Sequence, residues 1–525
     1  MRKQRITVEL IERIKEDLFD LVRQLKTGLS DCQYIDLRVE VGEGQAAVAQ
    51  DGMMKASMRD YGLSYGARVI AGKRMFAPGY FGQTLGAVDV NNIPRIIREG
   101  ILKAYQRAVV SAGLKSDRKT SWGSLGESLW STTLAKIKVC QDVIPAVYKV
   151  NPLDVSLEEI VKLTKGISRA VSSSDPRVKL NEVIAETFLA RELFLSSEGA
   201  NIDRAYALTQ GLCLVVAQDD RGASQTHYDY LGHQRGFEIL TDGISEEFIQ
   251  SKSFMDFSLD LALESVLLSA AKPCPTLDKE VIVVTDPHYN TLLVHEIIGH
   301  PSELDRGLKM ETAYAGRTWF LRNLKENMLG RQVASPLVSA YSDPLLPGYG
   351  HYKYDHEGTP AKKVMHIDKG MFVGFMNSRQ TAAILGVEPN AHYKATDASL
   401  VPLIRMSSTV FAKGDRNPQA IIKEIERGYY LVGQRVPSIS ESRENFRITA
   451  RKVFEIRNGE LGEMFRDGGI MANSKDYLMS VDAVGNDFRL YPIFNCGKGQ
   501  PMQVKRLGNG GPTLRSRARL VGGSR

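Results

Sequence analysis

The sequence lacks a long apolar run, a paired cysteine motif and a block of like charges. No stretch of about 18 apolar residues occurs, so we expect neither a membrane-spanning helix nor membrane association. The five cysteines are odd in number and never form a Cys-x-x-Cys pair, which excludes a disulfide framework. The 68 Lys and Arg residues and 61 Asp and Glu residues leave a net charge of +7 on 525 residues. Charge therefore gives nucleic-acid binding no support.

The first periodic stretch also lacks the apolar core of a signal peptide. Apolar residues recur at helical spacing between Ile11 and Leu25 with charged residues between them, and Gly28 favours a stop. This pattern predicts an amphipathic helix rather than a targeting segment. We therefore expect a cytoplasmic protein whose cysteines stay reduced.

The composition is that of an ordinary globular protein, with 43% hydrophobic and 25% charged residues. At roughly 100–200 residues per domain, the length predicts two to four domains. Residues 35–41 alternate in polarity like a strand with one buried face. Glycine-spaced segments between Gly62 and Gly82 predict hairpins of an antiparallel sheet, and residues 93–111 predict a helix. We assign residues 1–240 to a mixed α+β N-terminal domain.

A helix and two prolines separate the halves of the chain. The apolar residues that recur at helical spacing are Leu259, Ala262, Leu263, Val266, Leu267 and Ala270. The helix must end before Pro273-Cys274-Pro275, because proline does not continue a helix, and Cys274 is interpreted as part of a linker. The connecting segment is predicted to cover residues 241–275.

Strand patterns dominate residues 276–525, which we assign to a C-terminal domain. Residues 281–284 form a short apolar run typical of a buried strand, and residues 362–376 read as a hairpin. Asn458-Gly459, between two further strand patterns, suits a type I′ turn. We predict an α+β fold in which this domain is a large, mostly antiparallel, curled sheet that carries the helix described next.

Residues 292–301 combine an apolar helical pattern with three polar side chains, His295, Glu296 and His300. Asn290 is a fair N-cap for this helix. Buried polar groups require partners, so three such groups together demand an explanation. The helical zinc motif His-Glu-x-x-His places its histidines four residues apart on one face.

Here the histidines are five residues apart, which in a regular α-helix turns the second ring about 140° away from the first. Gly299 tolerates unusual dihedral angles, and Pro301 disfavours the α region for His300. We therefore predict that the helix ends or bulges at His300 and returns this ring to the side of His295.

From spacing alone, a metal site and a pair of hydrogen-bonded core histidines are equally good explanations. A hydrolytic zinc site needs three protein ligands and one open position. Glu303 and Asp305 are nearby candidates for the third ligand, and any of the five cysteines is a distant one. Cys496 stands out among them, because adjacent glycines leave its thiol accessible and Lys498 would favour the thiolate.

With this motif the chain resembles the TldD/PmbA family of zinc metalloproteases, and within it the TldD-type catalytic subunit. The matching elements, in family order, are His295-Glu296-x-x-Gly299-His300, Glu303, Asp305, Asp355-x-Glu357-Gly358, Arg405-Met406, Cys496-Gly497-Lys498-Gly499-Gln500 and Val521-Gly522-Gly523. The weaker motif Ser196-Ser197-Glu198-Gly199 and the N-terminal glycine pattern extend the likeness over most of the chain.

The resemblance implies that one Zn²⁺ per chain is bound by His295, His300 and Cys496, with Glu296 as the general base. It makes Glu303 and Asp305 candidates for orienting the imidazoles through hydrogen bonds. Two neutral imidazoles and one thiolate leave a Zn²⁺ site at charge +1, still a Lewis acid.

The resemblance also implies a partner chain. This is either a homologous PmbA/TldE-type subunit without the metal motif or a second copy of this chain, and the dimer would enclose the site in a chamber that admits unfolded peptide. His356 stands where the family more often has an acidic residue, so residues 355–357 are given no role. His351 and His392 are predicted to be surface residues. Lys498 either binds a substrate carboxylate or biases Cys496 toward thiolate.

The leading hypothesis is a zinc peptidase that cuts unstructured peptides, held as an added strand against sheet edges. One alternative is a non-enzymatic modulator with a structural zinc, which a closed fourth ligand would favour. Another is a zinc amidase acting on small molecules, which a narrow pocket would favour.

Overall fold

The computed structural model describes residues 6–118, 131–314, 316–322 and 326–523. The predicted α+β class is confirmed, since helices and largely antiparallel sheets alternate along the chain. Within these ranges the α-helices are α1 (Leu10–Gly28), α2 (Ile93–Arg118), α3 (Leu157–Ser174), α4 (Glu238–Thr241), α5 (Phe254–Ala270), α6 (Pro287–Val294), α7 (Leu304–Gly307), α8 (Arg379–Leu385), α9 (Pro418–Lys423) and α10 (Ser474–Met479). Helix α1 buries Ile11 and Leu25 as its sequence predicts, and it ends at Gly28.

The N-terminal half is built on one seven-stranded sheet in the order β3-β2-β1-β5-β6-β4, with β7 also paired to β6. Its strands are β1 (Cys32–Gln50), β2 (Met53–Ala71), β3 (Ala77–Thr84), β4 (Gln141–Ile144), β5 (Val178–Ser196), β6 (Asn201–Gln218) and β7 (Ser224–His233). All pairs are antiparallel except β4 with β6, so the predicted antiparallel sheet is confirmed. Helices α1, α2 and α3 pack against this sheet.

The expectation that β1 buries only one face is wrong. Asp36 and Arg38 are buried along with their apolar neighbours. Their face is covered by the C-terminal half, because Arg38 donates to the Leu400 carbonyl at 2.8 Å and Glu40 accepts from the Ala398 N–H at 3.1 Å. The polar residues of this alternating strand therefore contact the other half of the chain and do not face solvent.

Helix α5 forms where predicted but buries a different face. Leu263 and Leu267 are 49% and 61% exposed, while three serines of the helix are fully buried. The hydroxyl of each of these serines donates a hydrogen bond to a carbonyl of the preceding turn, as Ser258 does to the Phe254 carbonyl at 2.7 Å. Once internally bonded, serine fills space like a small apolar residue, which the apolar spacing could not reveal.

Two sheets make up most of the C-terminal half. The eight-stranded sheet contains β10 (Lys272–Pro273), β11 (Glu280–Thr285), β18 (Arg427–Ile439), β19 (Asn445–Arg457), β20 (Glu460–Arg466), β21 (Gly469–Asn473), β22 (Ala483–Val484) and β25 (Leu514–Val521). The six-stranded sheet contains β12 (Ala340–Ser342), β13 (Val364–Asp368), β14 (Met371–Phe372), β17 (Ser408–Phe411), β23 (Arg489–Lys498) and β24 (Gln503–Gly511). Two small pairs complete the strands, namely β8 (Ile244–Ser245) with β9 (Gln250–Ser251) and β15 (Tyr393–Lys394) with β16 (Leu403–Ile404).

The predicted curled sheet is confirmed, because the larger C-terminal sheet closes on itself. Strand β21 pairs with both β25 and β19, so that β19, β18, β11, β25 and β21 form a ring. The hairpin of β19 and β20 turns at Asn458 and Gly459, whose φ values of 48° and 80° are those of the predicted type I′ turn. The hairpin of β13 and β14 also forms, with a second strand shorter than predicted.

Cys274 was interpreted as part of a linker, and this is wrong. It is 4% exposed and belongs to the apolar core of the C-terminal half. All five cysteines are free, as expected in the absence of a disulfide framework. Within the described ranges, no helix is long and apolar enough to cross a membrane. The domain bounds at residues 240 and 275 stay predictions.

Candidate metal centre

The helix of the His-Glu motif starts directly after a strand. Strand β11 ends at Thr285, and Asp286 caps α6 by accepting the Tyr289 N–H at 2.7 Å, with Pro287 in the first turn. The predicted N-cap, Asn290, lies inside the helix, where its amide donates to the carbonyl of Pro512 at 2.8 Å. All eight residues of α6 are buried, so this helix places the motif that follows it in the core.

A π-helical turn over His295–Gly299 follows α6 and brings the two histidines together. The His300 N–H bonds to the His295 carbonyl, an i→i+5 bond that stacks residues five apart. The two ring centroids are 4.7 Å apart with planes at 86°. The bulge begins five residues before His300, which itself has helical angles of φ −60° and ψ −42°. The expectation that Pro301 drives His300 out of the α region is therefore wrong.

Side chains from outside the turn satisfy carbonyls near the bulge. The Trp319 indole donates to the Ile297 carbonyl at 3.2 Å, and the Ser302 hydroxyl donates to the Ile298 carbonyl at 2.7 Å. These bonds remove part of the cost of leaving regular helix geometry in a buried place. The π turn is thus supported by its surroundings as well as by its own i→i+5 bond.

Gly299 is required for space rather than for unusual dihedral angles. Its φ of −58° and ψ of −65° are helical, contrary to the expectation from sequence. A Cβ atom at this position would lie 2.1 Å from the sulfur of Met406. Any side chain here would displace Met406 or the turn that carries both histidines.

Cys496 joins the two histidines from a strand 196 residues further along the chain. Its Sγ lies 3.6 Å from His300 Nε2, and one donor atom from each of His295, His300 and Cys496 lies within 4.8 Å of the others. Zinc–nitrogen bonds of about 2.0–2.1 Å and a zinc–sulfur bond of about 2.3 Å at a tetrahedral angle separate N and S by about 3.5 Å. The donor set and its spacing therefore fit one zinc ion.

Cys496 is 4% exposed, so the expectation of an accessible thiol is wrong. The hairpin that carries it is held by Arg405, which donates to the Cys496 carbonyl at 2.5 Å and to the Gln503 carbonyl at 3.0 Å. Arg405 is itself fully buried. This guanidinium ties the two strands β23 and β24 together at the position of the thiol.

Each imidazole has a hydrogen-bond partner on its other nitrogen. His300 Nδ1 lies 3.1 Å from a carboxylate oxygen of Glu303, which leaves Nε2 facing Cys496. His295 Nδ1 lies 2.9 Å from the side-chain amide of Asn509 on β24. Such outer partners fix ring orientation and tautomer in metal sites.

Asp305 contacts no imidazole and instead pairs with Lys498. The lysine amine is completely buried and donates to both Asp305 oxygens at 2.7 and 2.8 Å, and to the Ile404 carbonyl at 2.8 Å. It also lies 3.2 Å from Glu303. With its donors used in this way, Lys498 is not available to a substrate carboxylate.

Glu296 lies beside the first histidine and forms an ion pair with Arg443. Both side chains are largely buried, at 12% and 6% exposure. Arg443 sits in the turn between β18 and β19 with φ of 63°, and Ser474 donates to its carbonyl at 2.7 Å. The glutamate of the motif is thus held by a cation fixed to the closed sheet.

The charges around the site favour a thiolate and an ionised carboxylate. Burial alone would raise the pKa of Cys496, but His295, His300 and Arg405 outweigh it and hold this pKa well below its usual range. Burial likewise opposes ionisation of Glu296, and Arg443 with the two histidines keeps its pKa lowered. A thiolate is the form of cysteine that binds metal.

Among the described residues, none of the other histidines and no acidic residue of the 355–357 loop joins this cluster of donors. His392 is completely buried, with Nδ1 2.7 Å from the Asn390 carbonyl, so the expectation of a surface residue is wrong. His351 is half-buried. Sequence reasoning gave no site role to Arg405, Arg443, Asn509 or Trp319; their only signals were the Arg405-Met406 motif and the general need of buried histidines for partners.

Comparisons with known proteins relate the chain to metallopeptidases. A model of the PmbA/TldA metallopeptidase C-terminal domain matches residues 278–522, and one of the central domain matches residues 150–253. A metalloprotease of Methanothermobacter thermautotrophicus is 32% identical over 63% of this chain and 67% of its own length. A metalloprotease of Methanocaldococcus jannaschii is 27% identical over 92% of this chain and 96% of its own length.

The fold has a solved counterpart in TldE from Thermococcus kodakarensis, with a TM-score of 0.68 and 18% identity over 98% of this chain and all of that one. At that identity the likeness concerns the fold alone. The C-terminal domain model covers every residue of the centre described above, and the two models together match well over half of the chain. The chain belongs to the PmbA/TldD family of metallopeptidases.

Proposed function

We propose that this protein is the catalytic, TldD-type member of its family, a zinc-dependent peptidase that hydrolyses unstructured peptides or proteins. The observation that carries the proposal is the convergence of His295, His300 and Cys496 on one point, with Glu296 next in sequence to the first of them. Thiolate and imidazole donors in this spacing suit zinc better than magnesium or calcium.

The number of donors favours a hydrolytic site over a structural one. Among the residues that the structure describes, no fourth His, Cys, Asp or Glu joins the cluster of three. Structural zinc sites have four protein ligands, whereas catalytic sites keep one position for water or substrate. This distinction supports a peptidase over a modulator that would bind zinc only for stability.

Zinc, when bound, supplies Lewis-acid chemistry, which polarises a carbonyl oxygen and lowers the pKa of water. Glu296 accepts the proton of the attacking water and later delivers it to the leaving amine. Arg443 keeps this carboxylate ionised and fixes its position, while Glu303 holds the ring of His300. Burial of all these groups strengthens their mutual electrostatic interactions.

The sheet topology supports an extended peptide as the substrate. Strand β23, which carries Cys496, is the terminal strand of the six-stranded sheet. A terminal strand offers backbone groups to an added strand, a mode of recognition that reads the main chain more than the side chains. An unstructured segment adopts such a strand most readily, which supports an unstructured substrate.

We also propose that this chain works as a dimer with a partner chain. The chain pairs either with a homologous PmbA/TldE-type subunit in a heterodimer or with a second copy in a homodimer. The metal donors all come from one chain, which makes this the active member of a heterodimer. Light scattering of the purified chain, alone and mixed with a homologue that lacks the motif, distinguishes the two assemblies.

Glu296→Gln tests the assigned chemistry. The variant keeps all three donors but cannot accept a proton, so we expect full zinc content and a loss of peptide cleavage of about 10²–10⁴-fold. Zinc is measured by mass spectrometry and cleavage with an unstructured quenched-fluorescence peptide. Glu247→Gln, at an exposed glutamate, is the matched control. Cleavage by Glu296→Gln at the wild-type rate would contradict the assignment of this residue as base.

A further inference from the structure

A cavity of about 260 Å³ lies between the N-terminal sheet and the β23–β24 hairpin. Its walls come from both halves of the chain, including Tyr206 of β6 and Phe494 of β23. The charged residues that line it are Glu192, Arg204, Lys394, Lys505 and Arg506. Four of these five are basic, an imbalance that the nearly neutral composition of the chain does not predict.

Two of the four cations are neutralised by the protein itself. Arg204 lies 3.3 Å from Glu192, and Arg506 lies 3.2 Å from Glu186. The amines of Lys394 and Lys505, by contrast, make no hydrogen bond or ion pair with the residues that the structure describes. Lys394 is 9% exposed, and its amine lies 3.8 Å from the ring centre of Tyr352.

Neither amine has a carboxylate of the described residues at hydrogen-bonding distance, although the more distant Glu192 favours the charged form of both. Burial lowers the pKa of Lys505 to about 8, and burial together with Lys505 lowers the pKa of Lys394 well below its usual range. Enclosed charges are stabilised by an opposite charge at hydrogen-bonding distance. An anion between the two amines supplies that charge without any change in the fold.

The cavity adjoins the metal centre. Lys505 is directly opposite Cys496 in the β23–β24 hairpin, and directly opposed residues of an antiparallel pair carry their side chains on the same face. Met406 and Leu507 line the cavity and also belong to the apolar core that contains Cys496. A peptide bound at the metal centre therefore runs close to the two lysines.

We propose that this cavity is a carboxylate-binding subsite, in which Lys394 and Lys505 receive a carboxylate of the peptide substrate. The inference rests on the proposed function. The carboxylate belongs either to an Asp or Glu side chain near the cleaved bond or to the C-terminus of the peptide. Both sources offer the same two oxygens to the two amines.

A matched set of quenched-fluorescence peptides tests the subsite on the zinc-loaded protein. Glu is exchanged for Gln at each position on both sides of the cleaved bond, and the C-terminal carboxylate is exchanged for an amide. A charged hydrogen bond in an enclosed site predicts about a tenfold or larger advantage in kcat/KM for the carboxylate at one position. Equal kcat/KM across the whole set would overturn the proposal.

Three variants, Lys394→Met, Lys505→Met and the double variant, test whether the preference for a carboxylate peptide arises in the cavity. Their readout is the ratio between the preferred peptide and its uncharged partner, which we expect to fall to about one in the double variant. Lys279→Met, at an exposed lysine, keeps the wild-type ratio. A ratio that survives in the double variant would overturn the proposal, as would competition by inorganic phosphate without any peptide preference.

A measurement of peptide binding tests this inference independently of the proposed function. Fluorescence anisotropy with the same peptides measures the carboxylate preference even where no cleavage occurs. Tighter binding of the carboxylate peptide, lost in the double variant, supports the subsite in a protein that fails to cleave. Cleavage of every peptide with no carboxylate preference supports the peptidase and overturns the subsite.

Discussion

Two buried polar clusters in this molecule differ in how their charged groups and electron-pair donors are arranged. The metal centre is one, and the other is an ion network between the N-terminal sheet and the C-terminal half. In that network Arg68 of β2 donates to Asp36 at 2.8 Å and to Glu357 at 2.6 Å. Arg379 donates to Glu198 at 2.8 and 2.9 Å, and its backbone N–H bonds to Glu357 at 2.7 Å.

Every charged side chain of this network contacts a side chain of opposite charge, so none of them needs a ligand as its partner. In the candidate metal centre, one donor atom from each of His295, His300 and Cys496 lies within 4.8 Å of the others. The difference teaches that burial of charge alone does not identify a site. Convergence of electron-pair donors points to a metal site, because one bound cation satisfies all of them at once.

Arg68→Met breaks the network and gives the largest expected effect on stability. It leaves the Asp36 and Glu357 carboxylates buried without their cation, which costs about 3–5 kcal/mol of unfolding free energy. Urea unfolding measures the loss, with the exposed Arg517→Met as control. The folded fraction should keep its zinc; a loss of zinc without a loss of stability would contradict the division between the two clusters.

Gly299→Ala perturbs the metal centre only by adding a methyl group that needs room. The added methyl group meets Met406, so we expect a loss of about 1–3 kcal/mol in unfolding free energy and weaker zinc binding. Met406→Ala in the same chain makes room for the methyl group and should recover part of the zinc affinity. Strictly additive effects of the two changes would show that their contact does not set the geometry of the turn.

Glu303→Gln sharpens the comparison with a smaller change. The amide accepts the His300 hydrogen bond more weakly than a carboxylate does, so we expect zinc affinity to fall about 10–100-fold. Competition with a chelating dye measures this affinity, and Glu247→Gln provides the unchanged reference. Unaltered affinity would remove Glu303 from the support of the site.

Local features of the fold were predictable because their causes are local. Apolar periodicity predicted α1, and the Asn458-Gly459 pair predicted its hairpin turn. The five-residue spacing of the histidines, with Gly299 between them, predicted a distorted helix. Its form as a π turn depends on Trp319 and Met406, which approach from other parts of the chain.

Features set by distant contacts were not predictable from local sequence. The polar face of β1 is buried by segments more than 300 residues away. Lys498 was expected to bind a substrate carboxylate or to favour the Cys496 thiolate, whereas its amine pairs with Asp305 and Glu303. Cys496 was connected to the histidines through family resemblance, since no spacing rule relates residues 196 positions apart.

Zinc stoichiometry of the wild type, Cys496→Ser and Cys213→Ser tests the central claim most directly. Cys213 is a fully buried cysteine outside the centre, so its variant controls for the loss of a buried thiol. We predict about one zinc per chain in the wild type and in Cys213→Ser, and almost none in Cys496→Ser at micromolar metal. Full zinc content in folded Cys496→Ser would contradict the account of a centre built from two histidines and a remote cysteine.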